Sequence, residues 1–316
     1  MWTRRALLAS GAALTAATLL PRRSFAATDQ LRVALVAEPP HLDPTLDPSP
    51  ATMQVSYQNI FEGLTRLDEH GTPQPGLARS WTVSPDGLAY AFALQPMVRF
   101  HDGTAFDAQH VIFSLNRLLD PNAGNPQRGL FQNIASVTAP DEASVNFVLK
   151  TKDDAFLFNL GRAEASMVAP ESADNNRTVP IGTGPFALVQ WDGGQRIALE
   201  RNEDYWGVHP RISEATFVFL PDPTAAISAM SGKQIDAYPA FPAPDALGPL
   251  RSDPAVKIIT GIGPDKKLRI GLWNAELTGM WVNAPVESCA LAGLRWAGDT
   301  GSSQVGPTPQ ITSEDD

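Results

Sequence analysis

Leu88, Tyr90, Phe92 and Leu94 alternate with Ala89, Ala91 and Ala93. A period of two with the bulk on one side predicts a half-buried strand. Ser80–Val83 precedes it across an Asp86-Gly87 turn, which makes a β-hairpin. Two more hairpins are predicted. Ile134–Thr138 and Ala143–Leu149 flank Pro140-Asp141-Glu142, and Phe186–Gln190 and Arg196–Glu200 flank Gly193-Gly194. Leu31–Ala37, apolar apart from Arg32, reads as a buried strand, and Ala215–Leu220 and Val256–Thr260 read as strands too. Leu64–Leu67 predicts a strand leading to a His70-Gly71 turn, and Val98–Gly103 a strand and turn. The clearest helix is Ala108–Leu119, where Val111, Ile112, Leu115, Leu118 and Leu119 share one face and Asp107 can cap the start. Further helices are predicted over Ala51–Phe61, Asp153–Leu160 and Pro223–Met230. Strands, hairpins and helices are interleaved, so the fold class is α/β (mixed α+β) with a mixed sheet.

The first 26 residues have a different pattern. Arg4-Arg5 precedes an uncharged run from Ala6 to Leu20, and Ser24-Phe25-Ala26 puts small residues where a signal peptidase reads. The run is shorter than the ~20 helical residues that span a bilayer. The segment reads as a twin-arginine-type signal peptide over 1–26, cleaved after Ala26, which implies a periplasmic protein. Cleavage removes Arg4, Arg5, Arg22 and Arg23 and no acid, so the formal net charge of −10 becomes −14. An acidic chain without a basic tract argues against nucleic acid as a partner. The composition, 43% hydrophobic and 18% charged, is that of a globular protein. The 28 prolines favour loops and sheet edges over a helical bundle.

The pattern changes again near the end. All 14 phenylalanines lie at or before Phe241, whereas three of the seven tryptophans (Trp273, Trp281 and Trp296) and the single cysteine, Cys289, come after Ile270. No strand or helix of clear period is expected there, and residues 266–316 read as an aberrant or disordered tail. One cysteine excludes an intrachain disulfide framework and a cysteine-based zinc site.

No nucleophile elbow, zinc-protease helix, phosphate loop or dinucleotide fingerprint occurs. The five histidines are scattered without metal-ligand spacing. The chain therefore reads as a non-enzyme without cofactor or metal, with no catalytic residue; a secreted hydrolase is the alternative from a different class. Candidate chemistry is confined to the loop after the first strand. Glu38-Pro39-Pro40-His41-Leu42-Asp43-Pro44 is stiffened by three prolines. Such a loop either presents groups to a ligand or is a rigid connector.

Four stretches carry a family resemblance. They are Leu42-Asp43-Pro44 with Phe61-Glu62-Gly63-Leu64; Pro75–Trp81 with Ser84-Pro85-Asp86-Gly87; Phe100-His101-Asp102-Gly103 with Phe106-Asp107-Ala108 and Val111–Ser114; and Gly182-Thr183-Gly184-Pro185-Phe186 with Glu200–Gly207. In order and spacing from residue 31 to 262, the chain resembles the family 5 solute-binding proteins of bacterial ABC importers, the peptide, oligopeptide and nickel-binding class. His110 departs from the pattern, which usually has Asp there, and past residue 265 no match is expected.

The resemblance implies a periplasmic-binding-protein type II-like lobe from residues 27–50 and 179–265, with a subdomain inserted over 51–178. It also implies an opposing lobe, which would close over the ligand by hinge bending and for which these residues do not account. The implied function is delivery of a peptide or related small polar solute to an ABC permease in the inner membrane, by a monomer. A truncated, non-functional fragment of such a receptor is the alternative. Carried over residue by residue, the ligand-side loop maps to Glu38, Pro39, Pro40 and His41. Trp81, Phe100, Gly103, Tyr205 and Trp206 map to core and turn positions.

Overall fold

The computed structural model describes residues 29–68, 71–262, 268–274, 280–282 and 294–296. The signal segment, its cleavage point, His70 and Cys289 lie outside them.

In chain order the strands are β1 (Gln30–Leu35), β2 (Thr65–Leu67), β3 (Pro73–Pro75), β4 (Ala78–Val83), β5 (Ala89–Leu94), β6 (Ile134–Asp141), β7 (Ser144–Leu149), β8 (Phe186–Asp192), β9 (Arg196–Arg201), β10 (Glu214–Phe219), β11 (Ala237–Tyr238), β12 (Val256–Ile262), β13 (Leu268–Asn274), β14 (Met280–Val282) and β15 (Leu294–Trp296). The helices are α1 (Pro50–Ser56), α2 (Ala108–Leu119), α3 (Phe156–Leu160), α4 (Pro223–Ser231) and α5 (Gly248–Arg251). A seven-stranded sheet has the order β12-β13-β11-β1-β10-β9-β8, and a four-stranded one β4-β5-β7-β6. β1 is parallel to β10 and to β11, and the other pairings are antiparallel.

The bulky face of β5 makes the four-stranded sheet's core: Tyr90, Phe92 and Leu94 are buried with Phe147 and Phe156, and Phe92 and Phe147 meet edge to face at 5.2 Å. α2 lies between two cores. Its Val111, Leu115 and Leu118 enter this one, while Phe113 packs against the seven-stranded sheet's core of Leu31, Val33, Phe186 and Phe217. Asp107 accepts from the backbone N–H groups of Gln109 (2.8 Å) and His110 (3.3 Å), so the helix starts at its expected cap. A third core, with Met230, Tyr238, Leu250, Ile270 and Leu272, includes residues of α4, α5 and β13.

Three expectations are corrected. The helix expected over 51–61 ends at Ser56, because the Asn59 Nδ2 donates to the Gln54 and Val55 carbonyls (both 3.1 Å) and turns the chain. Val98–Phe100 forms no strand beyond one isolated bridge, Arg99 to Ala105. The expectation of a structureless stretch from 266 fails over β13, which pairs with β12 along its whole length and with β11. Ile270 and Leu272 are buried there, so two apolar side chains on one face fasten the strand to the core. The backbones of β14 and β15 pair with each other.

Candidate ligand-binding site

β1, β10 and β11 run parallel, and in open α/β sheets ligands sit beyond the carboxyl ends of such strands. The loop leaving β1 is held by hydrogen bonds at Glu38 and His41. Glu38 is half-buried; one carboxylate oxygen accepts from the Trp191 indole N–H (2.7 Å) and the other from the Gly194 backbone N–H (3.0 Å). Its carboxylate thus fastens the β8–β9 turn to the loop. Pro39 is buried and Pro40 exposed, and neither has a backbone donor. His41 Nδ1 accepts from the Asp43 N–H (3.3 Å), and its carbonyl accepts from the Thr52 hydroxyl (2.7 Å).

Beyond His41 the loop is tied to α2. Asp43, fully buried, pairs with Arg117 at 2.8 Å and also accepts from Thr45 N (2.9 Å) and Thr45 Oγ1 (2.6 Å). Arg117 donates its other terminal nitrogen to the Thr45 hydroxyl. Burial works to raise the Asp47 carboxyl, but hydrogen bonds from Ser49 and Thr52 outweigh it and hold the group below its ordinary value.

A cavity of about 610 Å³ opens between this loop, α2 and the segment 170–177. Leu46, Phe113 and Pro170 give it apolar surface. Asn116 and Asn122 give it amides, and Arg117, Arg177, Asp120 and Asp174 give it charges of both signs. Glu38, Pro39, Pro40 and His41 share a loop with Leu46, but none of the four lines the cavity. Sequence reading missed Arg117 and Arg177. Arg117 lies off the apolar stripe of α2, where an exposed arginine is ordinary, and no spacing marks Arg177. The size lies within the range of about 300–1,000 Å³ usual for small-ligand sites. Among the described residues no three His, Cys, Asp or Glu side chains gather as a metal site would need.

The shared motifs meet beside the crossover that returns from the four-stranded sheet to the seven-stranded one. Glu62 accepts from Tyr205 Oη (2.8 Å), Trp206 Nε1 (2.9 Å) and Thr183 Oγ1 (2.9 Å). Burial pushes its carboxyl up to about 7 despite these three donors. Burial and the Glu62 charge together push the Tyr205 hydroxyl well up. A Cβ on Gly182 would stand 1.8 Å from the Ile60 carbonyl oxygen, and one on Gly184 2.3 Å from that of Asn59, so both positions require glycine. Tyr205 and Trp206 are thus structural ligands of a carboxylate, while Phe100 is buried as the resemblance implies.

The profile of the bacterial extracellular solute-binding proteins, family 5 (middle), matches residues 72–273. The chain belongs to this family. The match runs into β13 as far as Trp273, past residue 265, where the resemblance was expected to end. The chain is 31% identical over 242 residues to the glutathione-binding protein GsiB of Pectobacterium atrosepticum, covering 75% of this chain and 46% of that one. The binding protein AgaA of A. tumefaciens R10, solved with agropinic acid, superposes with a TM-score of 0.69 at 30% identity, over 74% of this chain and 48% of that one. The ABC transporter-associated periplasmic binding protein DppA of Helicobacter pylori, solved with the peptide STSA, gives 0.68 at 27% identity, over 74% and 51%. The fold is that of a periplasmic-binding-protein lobe, and the chain spans about half the length of the curated relatives it matches.

Proposed function

We propose that the chain is the solute-receiving part of a periplasmic receptor for an ABC importer, taking a peptide or a related small polar solute and presenting it to an inner-membrane permease. The observation that carries this reading is the open cavity of about 610 Å³, with charges of both signs and apolar surface, in a family 5 chain. Charged and amide groups can meet the ends and backbone of a short peptide, while Leu46, Phe113 and Pro170 cover apolar parts. In this reading Glu38, Pro39, Pro40 and His41, outside the cavity lining, shape the loop that carries Leu46 to it. Pro40 is exposed, the proline carbonyls can accept, and Glu38 and His41 fix the loop's shape through their hydrogen bonds. The lobe takes in 27–50 and 179–265, extended by β13, and 51–178 form the inserted subdomain. The protein acts as a monomer without catalysis, cofactor or nucleic acid, after export and cleavage behind Ala26.

Thermal unfolding of the purified chain against glutathione, di- and tripeptides, agropinic acid and a nickel–histidine complex tests this. One class is expected to raise the midpoint saturably without being consumed. A ligand at about 100 times its Kd adds about 2.7 kcal/mol. If none of these shifts the midpoint, or if one is converted to product, the reading fails. N-terminal sequencing of periplasmic protein checks export; an intact Met1 would refute cleavage.

A further inference from the structure

His101 follows Phe100 of the four-stranded sheet's core, and its ring hydrogen-bonds to the crossover returning to the seven-stranded sheet. Nε2 lies 2.9 Å from the Gly184 carbonyl oxygen, so it carries the hydrogen. That leaves Nδ1 as an acceptor, 3.4 Å from the Gly182 backbone N–H. The His101 backbone N–H also donates to the Gly182 carbonyl (2.9 Å). The neutral ring therefore grips both sides of Thr183. The gripped stretch is itself pressed onto the outgoing chain: Gly184 N–H donates to Ile60 O and Phe186 N–H to Asn59 O, both at 2.9 Å. Outgoing and returning segments lie together at this point, and the cavity wall 170–177 leads directly into it.

We propose that His101 is a proton-operated latch: neutral, it holds the returning crossover against the segment that leads into the inserted subdomain, and protonated, it lets go. A second proton on Nδ1 would face the Gly182 N–H, turning an acceptor into a donor with no partner. Burial already disfavours the charged ring and lowers its titration from 6.5, against the pull of the Gly184 carbonyl and of Asp102. Because the folded-state value lies below 6.5, the ring's contribution to docking is complete above about pH 6.5 and is lost as the pH falls below it. The other charged or titratable groups around the gripped stretch are Glu62, which accepts from Thr183, Tyr205, which donates to Glu62, and Arg66, whose charge acts on Glu62. Glu62 responds to acid in the opposite sense, since its folded-state value is raised. Asn202 Nδ2 also donates to Gly184 O (3.2 Å) and has no proton to gain.

Hydrogen exchange of the full chain, corrected for intrinsic rates and read by mass spectrometry between about pH 7.5 and about pH 5, tests the latch. In the wild type, protection of peptides covering 180–186 and 58–62 is expected to fall several-fold in acid, while β5 and β7 peptides keep theirs. His101→Gln retains a donor at the Nε2 position without a titrating ring, and is expected to hold its protection at both pH values. Glu62→Gln is expected to keep the acid loss. Unchanged wild-type protection, the same acid loss in H101Q, or its disappearance in E62Q would each overturn the proposal. His101→Ala is expected to show low protection at both pH values; if it does not fold, the comparison of wild type with H101Q carries the test alone.

Discussion

Glu62 is a half-buried acid that gathers three donors from positions 121, 143 and 144 residues further along the chain. Its folded-state value of about 7 lies above the ordinary 4.5, so ionisation opposes folding. The associated stability is fully present below about pH 4.5 and is lost as the pH rises through about 7. The urea midpoint of the wild type relative to E62Q is therefore expected to fall across that interval; a constant difference would contradict it. Arg117→Ala makes a separate case. It leaves Asp43 as an uncompensated buried carboxylate, and a loss of about 3–5 kcal/mol is expected in denaturant unfolding. Arg117→Lys, which keeps the charge but not the two-pronged contact with Asp43 and Thr45, is expected to lose less. Glu62 stood in a motif visible in the sequence, yet its role did not, because the partners that define it are remote in sequence.

At the level of elements, alternation and helical spacing were sufficient where a regular apolar face meets a core along its whole length. β5 and α2 lie where Leu88–Leu94 and Val111–Leu119 place them. Prediction failed where a tertiary contact sets the end of an element, as Asn59 does for α1, and where a strand is short or interrupted. β11 has two residues, and β13 carries Gly271 and Arg269 between its apolar positions in a stretch of altered composition. The cavity was illegible for a related reason: its walls come from three separate stretches whose polar residues look like ordinary surface. A chain ending at Asn274 is expected to unfold cooperatively, whereas one ending at residue 265 loses the strand between β12 and β11 and with it Ile270 and Leu272. Equal unfolding midpoints for the two would count against β13 as an integral strand. The glycine crossover predicts a sharper effect. Gly182→Ala drives a methyl group into the Ile60 carbonyl and is expected to cost more than about 3 kcal/mol, measured by denaturant unfolding.

For the whole molecule, the two larger sheets differ in how far along the chain their partners lie. The four-stranded sheet joins β4 to β5 and β6 to β7, which are neighbours in sequence. In the other sheet, β1 sits between β10 and β11, so Val33 lies beside both Phe217 and Ala237. The first strand must therefore remain unpaired until some two hundred later residues have been made. Sheets closed by such distant partners form slowly. Pulse-labelling during refolding should show amides of β4–β7 protected before those of β1. Until then an apolar strand is left with both edges open, ready to pair with whatever extended chain it meets, so β1 is the strand of the larger sheet that a chaperone has most reason to cover.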